Sequence, residues 1–492
     1  MAPPALARLL LDHPFADDEG LLYTAGRSVT RGGAVAAAQA TADDLRALGI
    51  QRGQGVAVRL PNGPDFVTSM IGVWLAGAVL VPVNPRVSER ELGSILERTA
   101  PAALVGPGGI RALDVEPSPD PRTYDPDTAF VLWTSGTTGT PKPILHTHNA
   151  YLELLDRVLR PLRGGKGGGE ARRPPTPNLI PVSLALNAGL YNALFGLRAG
   201  AALVIMDGFS TTEFARLVRR FAIRSTVLPP AAIASLNADP AVVSLAPLKY
   251  VRSITAPLSP RQARRFHDRF SVFVLNGYGQ AEVGEVIGWT AADATGHPEK
   301  IGSIGRPHPG VEIKIVDEGS APVEPGQTGE LLVRPPSMAA GYASDDNLAE
   351  RLDAAGFLRT GDIARADPDG FVWLEGRASD LINRGGNKVF PEEVEEVLRL
   401  VPGVVDAAVV GASDERLGEV PVAYLVTSRP VSDAEIRDHC RAQLTPYKVP
   451  TRFVRTESLP RNEAGKLVRS RLLAGAGRPP VEAGYSAPDE RP

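Results

Sequence analysis

Two hydrophobic periods alternate along the first hundred residues. In AVAAAQATADDLRALGI (34–50) the apolar positions recur at helical spacing and run into Gly49, which predicts an amphipathic helix stopped by that glycine. GVAVRLP (55–61) is a short continuous apolar run and predicts a buried strand, and DFVTSMIGVWLAGAV (65–79) predicts a second helix. The rhythm returns in AALVIMD (201–207), TEFARLVRRF (212–221) and STVLPP (225–230). Strands alternating with helices predict an α/β fold, with mostly parallel sheet covered by helices on both faces.

Past residue 310 the texture changes. VEIKIVD, GELLVRP and GFVWLEGR are short alternating runs separated by glycine turns, so a β-rich subdomain is expected over about residues 305–378. After GRASD (376–380) it changes again. PEEVEEVLRL is a helix with Pro391 in its first turn and carboxylates near its positive end. VVDAAVV is a strand, and VSDAEIRDHCRAQL a helix capped by Ser432. The expected division is a large domain over 1–378, a small α+β domain over 379–475 and a disordered tail over 476–492. GGKGGGEARRPPTP (164–177) has no periodicity and is expected to be a mobile surface loop.

Composition narrows the class. Length alone, 492 residues, favours more than one domain, and 43% hydrophobic with 22% charged residues is typical of a soluble globular chain. A net charge of −3 gives no electrostatic ground for nucleic acid or an anionic membrane as partner. The longest apolar run, MIGVWLAGAVLVPV (70–83), is too short to span a bilayer and is broken by Gly and Pro. The N-terminus lacks the pattern of a signal peptide. The single cysteine, Cys440, excludes a disulfide framework and a cysteine-rich metal site. A cytoplasmic enzyme is the natural expectation.

Candidate chemistry begins at WTSGTTGTPKPI (133–144), where small hydroxyls and glycines follow the strand-like AFVLW. Backbone N–H groups of such a turn form a concave anion site, hydroxyls add donors, and Lys142 can bring a point charge to a phosphate. The spacing fits neither G-x-x-x-x-G-K-[ST] nor G-x-G-x-x-G. His146 and His148 form an H-x-H with no third ligand nearby in the sequence, so they are expected to be ordinary residues where a strand gives way to a helix.

The whole string TSGTTGTPK resembles the phosphate-loop signature of the adenylate-forming superfamily, which includes acyl-CoA synthetases and aryl-acid ligases. Its other motifs follow in order. NGYGQAE (276–282) matches the adenine and Mg²⁺ motif, GELLVRPPSMAAGY (329–342) a strand–turn motif, and RTGD (359–362) the ribose-binding aspartate. GRASDLINRGGNKVFPEEVE (376–395) matches the interdomain hinge and PRNEAGKL (460–467) the C-terminal catalytic lysine.

The resemblance implies an ATP- and Mg²⁺-dependent ligase. It would join a carboxylic acid to AMP, release pyrophosphate, and pass the acyl group to a thiol, that of coenzyme A or of a separate carrier protein. It further implies that Thr134, Ser135, Gly136, Thr137, Thr138, Gly139 and Lys142 hold the β/γ-phosphates, and that Glu282 holds Mg²⁺. Tyr278 would stack on adenine, with Asn276, Gly277, Gly279 and Ala281 around the nucleotide. Asp362 would accept from the ribose hydroxyls, Arg377 would add a donor, and Lys466 would bridge the attacking oxygen and the α-phosphate. Ser379 would be the hinge, and Gly385 and Gly386 would border the thiol tunnel. Lys466, Glu282, Thr137 and Lys142 are thus the expected catalytic residues. A carrier-loading enzyme, a ligase for an unusual oxyanion, and a non-catalytic ATP- or AMP-binding regulator are the alternatives. Family members are monomers or dimers.

The chain also departs from the family pattern. Ala281 stands where threonine is usual, and with INRGG (382–386) this resembles the aryl-acid branch. Leu184 or Leu186 occupies the place of a histidine or aromatic near the acid's carboxylate, with Asn187 the nearest polar residue. SITAPL (253–258) places Ile254, Thr255 and Ala256 where relatives leave room for substrate. Bulk in a well-packed wall excludes long chains, which implies a small or flat acid. Pro143, in place of glycine, stiffens the exit of the loop.

Overall fold

The computed structural model describes residues 3–113, 122–133, 142–163, 175–343, 347–462 and 466–476. The chain divides into two compact units, Met1–Leu374 and Glu375–Pro492. The glycine-rich stretch from 164 to 174, and the tail from 477 on, lie outside the described residues.

The first unit is built on two large sheets. In one, the strands Gly55–Val58, Val79–Pro82, Ala103–Gly106 and Thr128–Trp133 form a parallel centre. Antiparallel strands, among them Pro143–Thr147 paired with Thr128–Trp133, extend its edges. In the other, Asn178–Ile180, Leu203–Ile205, Ser225–Val227, Tyr250–Ser253 and Phe273–Gln280 run parallel, and Gly284–Gly288 folds back antiparallel on the last. Central strands such as Gly55–Val58 and Leu203–Ile205 are buried along their whole length, as parallel strands covered on both faces must be. The first predicted helix spans Arg31–Ala47 and the second Pro64–Leu75, and together they pack against the core around Trp74. GVAVRLP yields the strand Gly55–Val58, beyond which the Arg59 N–H still donates to the Val105 carbonyl.

A four-stranded antiparallel sheet, Glu312–Val316, Gly329–Arg334, Leu358–Ala366 and Val372–Arg377, supplies the β-rich section. Between the sheets runs the helix His148–Arg163. Its Arg157, buried, donates to the carbonyls of Val283 and Glu285, to Glu153 at 2.7 Å and to the Ser337 carbonyl at 3.2 Å. One guanidinium thereby ties this helix to the strand Gly284–Gly288 and to the segment before Tyr342.

In the second unit the long hairpin Val404–Asp414 and Gly418–Thr427 is flanked by the helices Pro391–Leu398 and Asp433–Gln443. Ser432 caps the latter, accepting from the Glu435 amide at 3.2 Å.

A candidate nucleotide site in the first unit

The strand Phe273–Gln280 turns sharply into Gly284–Gly288, and this hairpin carries NGYGQAE. At Gly279 a Cβ would lie 1.8 Å from the Gly284 carbonyl oxygen, so only glycine permits the two strands to approach. The turn points Tyr278 and Gln280 toward the strand Leu358–Ala366, which carries Asp362, and Glu282 toward Tyr342 and Arg351.

These side chains form one continuous network. The Tyr278 hydroxyl donates to Asp362 Oδ2 at 2.5 Å, and Gln280 Nε2 donates to the same oxygen at 2.9 Å and to the Thr360 carbonyl at 2.8 Å. Gln280 Oε1 in turn accepts from Arg351 Nη2 at 3.0 Å. Arg351 Nη1 reaches Glu282 Oε1, which also accepts from the Tyr342 hydroxyl at 2.9 Å. Lys142, at the exit of the expected phosphate loop, lies with its ammonium 5.4 Å above the Tyr342 ring. Burial, reinforced by the Glu282 charge, pushes the Tyr342 phenol up to about 12, so it stays a donor.

The sequence-predicted Lys142, Tyr278, Glu282 and Asp362 are therefore brought together. Thr134, Ser135, Gly136, Thr137, Thr138 and Gly139 lie outside the described residues. Asn276 donates weakly to the Ser303 carbonyl at 3.4 Å, and Gly277 and Gly279 lie in the same strand. Ala281 sits half-buried in the turn with no hydroxyl to offer. Gln280, Tyr342 and Arg351 were missed. Gln280 and Tyr342 stand inside quoted motifs, whereas nothing in the sequence around Arg351 marks it.

The donor set fits a nucleotide with a hard cation. Both donors to Glu282 meet Oε1, and a carboxylate's second oxygen is the kind of ligand Mg²⁺ takes. Asp362 is buried and oriented by the Tyr278 and Gln280 donors on Oδ2, and a carboxylate fixed in this way is the kind of group that accepts from a diol.

The expected acid-pocket residues also lie in the first unit. Leu184 is buried, Leu186 precedes the helix Asn187–Ala199, and Asn187 Oδ1 accepts from the Tyr151 hydroxyl at 3.4 Å. Ile254 packs against the core cluster that holds Leu184, Leu190 and Tyr191. Thr255 has φ of +82°, a strained conformation for a β-branched residue, and its buried Oγ1 has no partner among the described residues. Ala256 follows, half-buried. His146 ends up in the strand Pro143–Thr147 and His148 opens the next helix. Burial lowers both imidazoles to about 4, and among the described residues no group of three metal-ligating side chains occurs.

The remaining predicted residues belong to the second unit. Arg377 ends the strand Val372–Arg377. Ser379 Oγ donates to Asp380 Oδ1 at 3.0 Å inside a short 3₁₀ turn. Gly385 and Gly386 have φ of +58° and +86° and form the turn between Ile382–Arg384 and Asn387–Val389. Lys466 is held through its backbone, its N–H donating to Asn462 Oδ1 and its carbonyl accepting from the Asn462 N–H, each at 2.9 Å.

Comparison with known proteins agrees with this architecture. The family model described as AMP-binding enzyme matches residues 12–343, and that described as AMP-binding enzyme C-terminal domain matches 393–466. A sulfoacetate–CoA ligase of Cupriavidus necator is 32% identical, covering 94% of each chain. A 2-succinylbenzoate–CoA ligase of Bacillus licheniformis is 31% identical over 88% of this chain and 92% of that one. Among solved structures, the o-succinylbenzoate CoA synthetase of Bacillus subtilis in complex with its acyl-adenylate intermediate superposes with a TM-score of 0.81 at 27% identity, covering 95% and 98% of the two chains. The chain belongs to the AMP-binding enzyme family, as an adenylate-forming ligase of the acyl-CoA synthetase type.

Proposed function

We propose that the protein adenylates a small or aromatic carboxylic acid with ATP and transfers the acyl group to the thiol of coenzyme A. A carboxylate is a poor electrophile because its carbon shares delocalised negative charge. Linking one oxygen to AMP supplies a leaving group. The acid's oxygen attacks the α-phosphate in line, pyrophosphate departs, and charge accumulates on phosphoryl oxygens, so catalysis is mainly positioning and charge stabilisation.

The observation that carries this reading is the network from Lys142 through Tyr342, Glu282, Arg351 and Gln280 to Asp362. It joins a phosphate-side cation, a metal-binding carboxylate and a ribose-binding carboxylate in one rigid frame. In this account Glu282 holds Mg²⁺, Asp362 holds the ribose, and Lys142, with residues 134–139, holds the departing pyrophosphate. Arg351 and Tyr342 are positioning residues that fix the Glu282 carboxylate. Lys466 supplies the cation at the attacking oxygen, and a turn at Ser379 lets the second unit adopt a separate arrangement for thiol transfer, with Gly385 and Gly386 beside the thiol. Thioester formation is favoured as the second step because the full-length relatives are CoA ligases.

The test is acid-dependent exchange of labelled pyrophosphate into ATP across a panel of small aliphatic, dianionic and aromatic acids. Coenzyme A and carrier proteins are then compared as acceptors. Exchange with at least one acid, and thioester formed on coenzyme A, is the expected result. ATP binding without exchange for any acid would replace this reading with a regulatory one.

A further inference from the structure

A charged constellation lies beside the expected acid pocket and takes no part in the nucleotide network. Arg252, on the strand Tyr250–Ser253, donates through Nη1 to Glu285 Oε1 and through Nη2 to the Trp289 carbonyl at 3.3 Å. His308 Nε2 lies 3.0 Å from the same Glu285 oxygen. The Glu285 and His308 side chains are only 6% and 5% exposed, and that of Arg252 13%. The other carboxylate oxygen, Glu285 Oε2, is buried with no hydrogen-bond partner among the described residues, and so is the hydroxyl of Tyr191, 7% exposed.

An orphaned buried polar atom costs about 1–3 kcal/mol, and each one calls for an explanation. Here the place supplies it. A Cβ on Gly277 would stand 2.8 Å from Glu285 Oε1 and 3.1 Å from Ile254 Cγ2, so the carboxylate reaches the wall formed by Ile254 and Gly277. At Gly288 a Cβ would stand 2.7 Å from the same oxygen and 3.0 Å from the His308 ring, so glycine is what admits the carboxylate there. Tyr191 lies one turn after Asn187 on the helix Asn187–Ala199, on the same face. Residues expected to line the acid thus border the constellation on two sides.

Its chemistry is selective. Burial alone would raise the Glu285 carboxyl, but Arg252 and His308 hold it below the usual carboxylate range, so it stays ionised. Burial, together with the Glu285 charge, pushes the Tyr191 phenol well above its ordinary value, so it stays protonated. An alkyl tail would leave both orphans unsatisfied, and a second anionic group would meet the Glu285 charge at close range.

We infer that the acid carries an O–H or N–H donor remote from its reacting carboxylate, received by Glu285 Oε2 and the Tyr191 hydroxyl, which makes these two the specificity residues for a hydroxy or amino acid. The inference rests on the adenylation proposed above and adds the class of acid to it. A pocket built to bond a substrate hydroxyl or amine discriminates strongly against the analogue that lacks it.

The test is pyrophosphate exchange by the full chain with matched sets: benzoate against the hydroxy- and aminobenzoates, short alkanoates against their ω-hydroxy forms, and succinate and sulfoacetate as dianions. We expect at least one donor-bearing acid to exceed its unsubstituted parent in kcat/KM by on the order of a hundredfold. Tyr191→Phe should shrink that ratio by about tenfold. The paired change Arg252→Met with Glu285→Leu, which removes the carboxylate together with its guanidinium and leaves the His308 imidazole, should abolish the ratio. If the double variant fails to fold, Tyr191→Phe decides alone, since it removes only an unbonded hydroxyl. Exchange confined to unsubstituted or dianionic acids, or a ratio untouched by Tyr191→Phe, overturns the inference and leaves adenylation standing. Exchange with no acid removes the adenylation reading and this inference with it.

Discussion

Removing one buried hydroxyl tests the ribose side of the nucleotide network. The Tyr278 hydroxyl donates to Asp362 Oδ2 at 2.5 Å, and Gln280 shares that acceptor at 2.9 Å. Asp362 is 6% exposed, so little water can replace a lost donor. A hydrogen bond to a charged group contributes about 1.5–3 kcal/mol. Tyr278→Phe keeps the ring and removes this bond together with the long contact from Gln280 Nε2 to the hydroxyl at 3.5 Å, with Gln280 still donating to the carboxylate. If about 1.4 kcal/mol of the loss falls on ribose binding, the KM for ATP rises about tenfold. Because ribose is held equally before and during attack, kcat should change little. The measurement is initial-rate pyrophosphate exchange at varied ATP with the acid saturating. Gln280→Ala should behave alike, and the double variant should be worse than the product of the two single effects, since both donors reach the same oxygen of Asp362 and are coupled through it. An unchanged KM for ATP, or an effect confined to kcat, would refute the assignment of Asp362 to the ribose.

Further outcomes follow from the same geometry. Lys466→Ala should slow adenylation by on the order of a hundredfold while transfer from supplied acyl-adenylate to the thiol changes far less; separate single-turnover assays of the two steps check this. Arg157→Met leaves the Glu153 carboxylate without its guanidinium and unties three segments, and chemical denaturation should show a loss of about 3 kcal/mol. In the second unit, burial pushes the Glu392 carboxyl from its ordinary 4.5 up to about 7, with neighbouring Glu395 and Asp380 adding to the rise and Arg469 opposing it. The folded state then holds a proton that the unfolded state has released. Stability of this unit should fall as pH rises from about 4.5 to about 7, by about 3 kcal/mol, and level off above. Glu392→Gln should flatten that slope in denaturation curves taken across pH.

Much of this molecule was readable from the chain because its elements obey local rules. Arg31–Ala47 has helical spacing, a Thr30 cap and a glycine stop, and Asp433–Gln443 has Ser432 as its cap. The motif residues Tyr278, Glu282 and Asp362 were legible because close approach of backbone and phosphate chemistry fixes both residue type and spacing. Arg351 was not legible: its role comes from folding the segment Leu348–Arg351 against a hairpin some seventy residues away in sequence. Arg252 and Glu285 carried a faint signal, charges inside apolar strands, but only their mutual contact, and that with His308, makes them a unit. Ile254 shows the same limit. Its position in SITAPL marks it as bulky, yet whether it faces core or substrate depends on the helix Asn187–Ala199 packed against it.

The central claim is that a carboxylate oxygen attacks the α-phosphate of ATP. Supplying an accepted acid labelled with ¹⁸O in its carboxylate, and analysing the products by mass spectrometry after thiol transfer, tests it directly. One labelled oxygen should be recovered in AMP, with pyrophosphate unlabelled. Label recovered in inorganic phosphate alongside ADP, or AMP formed without label, would contradict the account.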